Sequence, residues 1–554
     1  MSAPEFDAIV IGSGMTGGIA AKYLCEAGLK VLVVERGRHI DPAKDYLHEF
    51  HGPWDMKYRG LGNTHNVLAD RGDVAGEYNE QFFASSIDAP YQVADGKPFV
   101  WVRGYQLGGR SLIWGRHVPR WSPANFEANA QDGHGVDWPI RYADVAPWYD
   151  KIESYIGVAG QAEGLEDWPD GEFLPPFPLN PAEAHLRQEL KARFGRTVTP
   201  GRNANLTVEH LGRGPCRNRD HCSRGCSFKG YYCSVTASLP DAAATGNLTV
   251  LTDSIGEHLL LDKTGKRAEA LQIVDAATGA RRRVTARLFV ACAGSFNSVQ
   301  LLLNSRSEAH PRGIGGDQGV LGRYIMDHVN GAHVTGILRG FEDRVSHGRK
   351  PTGMDITPFA NVGEDKRDYL RTYYFQGGSG RMGWGRGSAI PGIGRDLKDK
   401  LTRPGPWIMS MGAWGDMLPR PDNRLSLSKL TDRHGIPQLH IDFSWSDNDR
   451  RMMADAAREA RAMFEAAGLE IVSWSNKMGP GGLAIHEMGG APMGRDPQTS
   501  VLNAWNQVHE VPNILVTDGA AMASSGCQNP SITYMALTAR ACTHAIERLK
   551  ASSV

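Results

Sequence analysis

The run Phe6-Asp-Ala-Ile-Val-Ile11 leads straight into Gly12-Ser-Gly14-Met-Thr-Gly17. No other segment restricts the fold of this chain so much. A short apolar run reads as a buried strand, Met15 to Ala27 as a helix, and Val31 to Glu35 as the next strand, so the chain opens as a β-α-β unit. Gly12 permits the tight turn after the strand. Gly14 lets backbone approach a pyrophosphate at the helix N-terminus, and Gly17 lets helix and strand pack closely. Glu35 ends the second strand, where a carboxylate can hold a ribose hydroxyl. Glycines, strand, helix and acid together predict a bound dinucleotide. The motif alone does not separate FAD from NAD. Two features favour FAD: the unit founds the domain at its N-terminus, and the late strand Ile514 to Thr517 ends in Asp518-Gly519, which can return to the same cofactor.

The far end of the chain supplies chemistry. His486 opens HEMGGAPMG and Asn529 sits in GCQNPSIT. A neutral imidazole can take a hydroxyl proton while an amide holds the oxygen, the parts needed to oxidise an alcohol beside a hydride acceptor. Asn529 precedes Pro530, so a plain turn role competes with the catalytic one. His328, in GRYIMDH, and His333 read as structural.

Length and charge bound the rest. At 554 residues the chain exceeds one ordinary core, and two or more large lobes are expected. Net charge is zero and the basic residues are not gathered in one block, which argues against nucleic acid as a partner. There is no apolar stretch of membrane-spanning length. MSAPEFDAIVIGSG shows no signal peptide, so a cytoplasmic location is the default, with the periplasm open to a chain exported with a partner subunit.

Phe289 to Leu303 is a second strand–Gly–helix unit, and Leu248 to Ala293 reads as short strands with turns at Lys263–Lys266 and Ala276–Ala280. Residues 40 to about 100, with His48, His51 and His65, read as surface loop, a lid being the alternative. From Gly331 the pattern changes. Gln438 to Trp445 alternates with period two, as in a half-exposed antiparallel strand, and segments near Ala332, Tyr373, Ile408 and Leu425 look similar. Ser446 can cap a following helix with Asp449, whose Met452, Ala456, Ala460, Met463 and Ala467 fall on one face before Gly468 ends it. The expectation is an α/β fold: a Rossmann-like, discontinuous FAD-binding domain over 1–330 and 476–554, and a substrate domain over 331–475 with antiparallel sheet backed by helix.

Cys216-x5-Cys222-x3-Cys226, with Cys233 beyond, lies in the loop 214–234. Thiolates this close among Arg217, Arg219, Arg224 and Lys229 can wrap an iron–sulfur cluster. Zinc, a disulfide and unliganded thiols are the other readings; C-x2-C pairs, the usual zinc spacing, are absent.

GSGMTG with Glu35, Leu107-Gly-Gly-Arg-Ser-Leu-Ile-Trp114, ACAGSFNSVQLLLNS from Ala291 and the C-terminal His…Asn-Pro pattern resemble the glucose–methanol–choline oxidoreductases over nearly the whole length. Within that family RGYQLGGRSLIWGRHVPRW, DWPIRYADVAPWYDKIE and GDMLPRPDNRLSLS look most like the FAD subunit of bacterial glucoside 3-dehydrogenases, which turn glucosides into 3-keto sugars. The resemblance implies that Gly108 and Gly109 approach the flavin and that Gly256 touches adenine. It also implies that His486 is the base, with Asn529 beside it at the reacting oxygen and the hydride going to flavin N5. Pyranose-oxidising relatives link a histidine to the flavin just before the Trp of the GG motif. Ile113 stands there in this chain, which predicts non-covalent FAD. Some relatives hold a [3Fe-4S] cluster on a similar cysteine run, spaced differently by one residue, which implies a cytochrome c or quinone acceptor and a small accessory subunit. A family oxidase using oxygen, a non-catalytic FAD or electron-carrier subunit, and an NAD-dependent dehydrogenase are the competing readings.

Overall fold

A computed structural model describes residues 4–60, 75–346, 348 and 350–551. Phe6–Ile11 and Val31–Val34 pair in parallel, joined by the helix Met15–Glu26. All of Val31–Val34 is buried, as a strand covered on both faces must be. Arg281–Ala291 flanks Phe6–Ile11 in parallel, and Leu248–Leu251 closes the other edge against Val31–Val34. Arg281–Ala291 then divides its free side. Its first half pairs with the antiparallel hairpin Ser254–Leu261/Ala268–Asp275, and its last residues pair in parallel with Ile514–Val516. The parallel strands therefore deliver Gly12, Glu35, Cys292 and, just past Thr517, Asp518 to one rim, where an open α/β sheet places its ligand. The helix Ser295–Asn304 follows Gly294, which sits at φ +88°.

A six-stranded antiparallel sheet forms the second lobe, in the order Glu470–Ser475, His333–Leu338, Trp407–Gly415, Tyr373–Arg381, Met354–Ile356, Val198–Pro200. It crosses the boundary expected at residue 331, because Val198–Pro200 is its outer strand. Three residues carry too little periodicity to read. The alternating run near Gln438 forms its strand, Pro437–Asp442, but in a separate small sheet with Arg424–Thr431 and Gln92–Val93. Alternation reports one buried face, here Leu439 and Ile441, and does not name the strand's partner. The helix Asp447–Ala466 starts as expected. Ser446 Oγ accepts from the Asp449 amide at 3.3 Å, and the Asp449 carboxylate accepts from the Ser446 amide at 2.7 Å. Met452, Ala456, Ala460 and Met463 are buried on one face of this helix.

Residues 48–51 buttress the cysteine loop. Arg224 Nη1 donates to the His51 carbonyl at 2.9 Å, and His221 Nδ1 donates to that of Glu49 at 3.1 Å. The buried Glu49 carboxylate accepts from Arg219 and from the Ser227 amide. His48 and His51 face each other, Nδ1 to Nδ1, at 3.0 Å; His65 lies outside the described residues. Among those residues no helix is long and apolar enough to cross a membrane.

Candidate active site

One continuous cavity begins at the first βα turn and ends between the two lobes. Gly12 has φ +96°, and a Cβ there would stand 2.4 Å from the Cys292 carbonyl oxygen. Gly14 has nothing within 4 Å of where a Cβ would be, because it faces open cavity. Gly17 stands behind the wall, where a Cβ would meet the Gly12 carbonyl at 2.0 Å, so it serves helix–strand packing. Glu35 is buried at the cavity, accepting from the Gly37 amide at 2.9 Å and the Ser13 amide at 3.2 Å. The Gly108-Gly109 turn, at φ +88° and +52°, lies against Gly14. The Gly108 amide donates to Ser13 Oγ at 2.9 Å, which leaves Gly109 as the member at the wall. Gly256 also faces the cavity. Asp518 accepts from the Gly294 amide at 2.9 Å and from Ser298 Oγ at 2.5 Å, while burial pushes its pKa up to about 6. Gly519 and Pro530 continue the wall to Asn529 and His486.

His486 and Asn529 come together there, with Asn529 Nδ2 3.3 Å from His486 Nε2. Their orientation follows from the partners. His328 is fully buried and its Nε2–H donates to the Ser525 carbonyl at 3.3 Å. Its Nδ1 is then a lone pair, and His486 Nδ1–H donates to it at 3.0 Å. His486 Nε2 is left unprotonated and receives the Asn529 amide. The protein mass around His486 disfavours its cationic form, and His328 and Arg110 add to this, so its pKa falls well below the usual histidine value. Burial takes His328 down to about 4. Both rings are neutral at pH 7. Asp327 fixes the pair through backbone, accepting from the amides of His328 at 2.9 Å, His486 at 3.0 Å and Ala484 at 3.1 Å. Ile485, just before His486, is held at φ +58°, an uncommon conformation for a branched residue.

The second lobe completes the corner. Asn529 Oδ1 accepts from Tyr374 Oη at 2.5 Å and also from Gln376 Nε2. The amide oxygen is thereby occupied, and Nδ2 has one hydrogen left beyond the one aimed at His486. The Trp414 ring lies 5.2 Å from that of His486. A side cleft between the lobes is lined by His117, Asn330, Thr352, Gln376 and Trp414. Burial lowers the His117 pKa to about 3. Tyr374, Gln376 and Trp414 carry no motif spacing that points to the site. His328, expected to be structural, touches the candidate base, and the Asp-His pair at the end of an apolar run is the one local signal that marks it.

Two family profiles described as GMC oxidoreductase match residues 6–330 and 419–538. The chain belongs to the GMC oxidoreductases. It is 27% identical to 2-methyl-1,2-propanediol dehydrogenase of Mycolicibacterium austroafricanum, over 98% of this chain and 95% of that one. Paromamine 6'-oxidase of Streptomyces fradiae is 27% identical over 99% and 91% of the two chains. The fructose dehydrogenase large subunit of Gluconobacter japonicus is 25% identical over 98% of each. Among solved structures, pyridoxine 4-oxidase from Mesorbium loti superposes with a TM-score of 0.62 at 16% identity, covering 97% of this chain and 98% of that one. This GMC chain is therefore an oxidoreductase for CH–OH groups with the family's fold, and the family implies FAD. The cavity fits that group: glycine backbone at the helix N-terminus, a buried carboxylate at the second strand, and one uninterrupted wall on to His486.

The cysteines divide. Cys216 and Cys222 flank the Asn205 amide, with Nδ2 3.9 and 3.8 Å from their sulfurs. Burial raises the Cys216 and Cys226 thiols, and Cys222 adds to the rise of each, so these three sense one another. Cys233 turns away and accepts from Ser111 Oγ at 3.6 Å, behind the GG motif. The three sulfurs do not converge within 4.8 Å of one another. Tetrahedral zinc at about 2.3 Å from each sulfur requires closer approach, so this arrangement does not fit zinc. Cys222 also borders the flavin cavity.

Proposed function

We propose that the chain is a dehydrogenase that oxidises a secondary hydroxyl of a sugar or glycoside, at C3, and passes the electrons to an acceptor other than oxygen. The observation that carries the reading is the His486–Asn529 pair, set at 3.3 Å on the wall of the dinucleotide cavity with the unprotonated His486 Nε2 turned toward Asn529. Bound FAD, held without a covalent link since Ile113 occupies the place of the bonding histidine, would supply the hydride acceptor. The residues of the chain do the remaining work. The substrate oxygen would displace the Asn529 N–H from the Nε2 lone pair, so that His486 takes the hydroxyl proton at Nε2 while the Asn529 amide holds the same oxygen. His328 keeps the proton of His486 on Nδ1. Amides, a hydroxyl and Trp414 in the adjoining cleft suit a substrate with many hydroxyls and an apolar ring face. Fructose dehydrogenase among the relatives supports a sugar.

Cys216, Cys222 and Cys226 would hold an iron–sulfur cluster of the three-iron type, with Cys222 on the wall of the dinucleotide cavity. A small partner subunit and a cytochrome c or quinone would complete the relay. Anaerobically purified protein should then carry about three irons per chain; iron near zero with full activity sinks the relay.

The deciding experiment is product identification from a panel of glucosides with an artificial electron acceptor. A 3-keto product supports the assignment and another keto position refutes it. Hydrogen peroxide release at the turnover rate would make the chain an oxidase, and absence of flavin bleaching with any glucoside would make it a carrier. His486→Ala should slow flavin reduction by roughly 10²–10⁴-fold. Near-normal reduction in that variant would remove the base assignment.

A further inference from the structure

Behind the catalytic sheet, at the end of Ile514–Val516 remote from Asp518, three side chains meet that the chemistry above does not use. They are His310 and Asp317, from the loop after the helix Ser295–Asn304, and Glu510, from the turn before Ile514–Val516. His310 is buried, 6% exposed. Its Nε2–H donates to the Gly265 carbonyl at 2.8 Å, in the turn of the Ser254–Leu261/Ala268–Asp275 hairpin. In the neutral ring that bond puts the lone pair on Nδ1. Nδ1 faces Glu510 Oε2 at 3.2 Å and Asp317 Oδ2 at 3.4 Å, yet it has no hydrogen-bond partner. Glu510 Oε2 and Asp317 Oδ1 are buried without partners as well. A lone pair aimed at two carboxylates is repulsive, and buried polar atoms left unpaired cost about 1–3 kcal/mol each. A cation between these three groups would remove the repulsion and pair the buried atoms.

We propose that His310, Asp317 and Glu510 bind a divalent transition-metal ion, Zn²⁺ by preference, as a structural staple. The ligand atoms lie within 4.8 Å of one another, and this is the sole such group among the described residues. Zinc sits about 2.0–2.2 Å from imidazole nitrogen and carboxylate oxygen, so tetrahedral ligands stand about 3.4 Å apart. The observed 3.2 and 3.4 Å fit that edge. The imidazole selects against Mg²⁺ and Ca²⁺, which take oxygen ligands. The Gly265 bond is the outer-shell contact that a metal-bound histidine usually makes, fixing its tautomer. Water would fill the remaining position, since Asp317 and Glu510 are partly exposed. Such an ion would tie three loops together at the base of the strand that presents Asp518 to the cavity.

The test uses the flavin-loaded full chain, freed of metal with a chelator and titrated with ZnCl₂. The control is Asp317→Asn/Glu510→Gln, which keeps the shape and removes the charge. The cysteine loop is identical in both proteins, so zinc captured there cancels. The wild type should take up one more equivalent of zinc than the double variant. Its unfolding midpoint should rise with zinc by about 2 °C or more, and that of the variant by less. If the double variant is insoluble, Glu510→Gln alone should lower the zinc affinity of this site by roughly 10-fold or more. Equal zinc content and equal midpoint shifts in wild type and variant would overturn the proposal and leave a protonated His310 between two carboxylates.

Discussion

At the Gly12 end of the cavity the chain contributes mostly backbone, from residues close in sequence: Gly12, Gly14 and, one strand later, Glu35. At the His486 end it contributes side chains from distant segments: His328, Tyr374, Gln376, Trp414, His486 and Asn529. The first end is a local conformational requirement, which either is met or is not. The second is a hydrogen-bond chain in which each member orients the next, so its failures should be graded.

Gly12→Val tests the first half of that contrast and should have the largest effect. The position needs φ +96° and has the Cys292 carbonyl 2.4 Å from any Cβ. No neighbouring side chain can yield, because the obstacle is backbone just past the end of the strand Arg281–Ala291. The purified variant should lack flavin absorbance entirely. Soluble Gly12→Val with a normal flavin-to-protein ratio would show that the cradle is not an all-or-none element.

The histidine pair should make the fold acid-sensitive. Burial depresses the folded pKa of His328 from 6.5 to about 4, and His486 moves in the same direction. Between those values the unfolded chain binds a proton that the folded chain refuses. Stability is therefore fully present above pH 6.5 and falls as the pH drops toward 4. For His328 alone the loss is about 3 kcal/mol at 1.36 kcal/mol per pKa unit. Denaturant midpoints of wild type and His328→Leu between pH 4 and 7 would measure it, since the variant should lose part of the slope. Parallel profiles would mean that His328 titrates normally.

The same variant should slow flavin reduction by about 10-fold, less than the 10²–10⁴ expected for losing the base. Without His328 the ring of His486 no longer has a fixed tautomer. Burial holds the His486 pKa down first and His328 adds to it, so the acid limb of the pH–rate profile should move up while burial still keeps it below the ordinary histidine value. A simple packing defect would lower the rate without moving that limb.

The same contrast governs what can be read from the chain. The β-α-β opening, the Ser446 cap and the cysteine run are local patterns: a period, a cap or a spacing. His486 and Asn529 were legible because each sits in a distinctive short run. Val198–Pro200 was not, since a three-residue strand gains its identity only from Met354–Ile356 beside it. Tyr374 and Gln376 alternate along one strand and look like any two polar positions on a half-exposed sheet. Only the register that lays Tyr373–Arg381 against Trp407–Gly415 brings them to Asn529 and Trp414 to His486. His328 has only the Asp-His pair as a local signal, and its contact with His486 is made by the fold. Its chemistry depends on the Ser525 carbonyl, about two hundred residues away, and no spacing announces that.

Tyr374→Phe is the smallest and most discriminating of these changes. It removes one donor from Asn529 Oδ1 while Gln376 Nε2 keeps the other, so the amide should hold its orientation. A neutral hydrogen bond contributes about 1 kcal/mol, or roughly 5-fold in rate. Gln376→Leu alone should behave similarly, because the tyrosine still donates. Removing both leaves the Asn529 amide free to flip and present its oxygen to the His486 lone pair, where two acceptors repel. The double variant should therefore lose much more than the product of the single losses. Such coupling is expected of groups that share one partner. Additive losses in flavin reduction would show that Asn529 is oriented by its own backbone, and that this corner is built like the cradle after all.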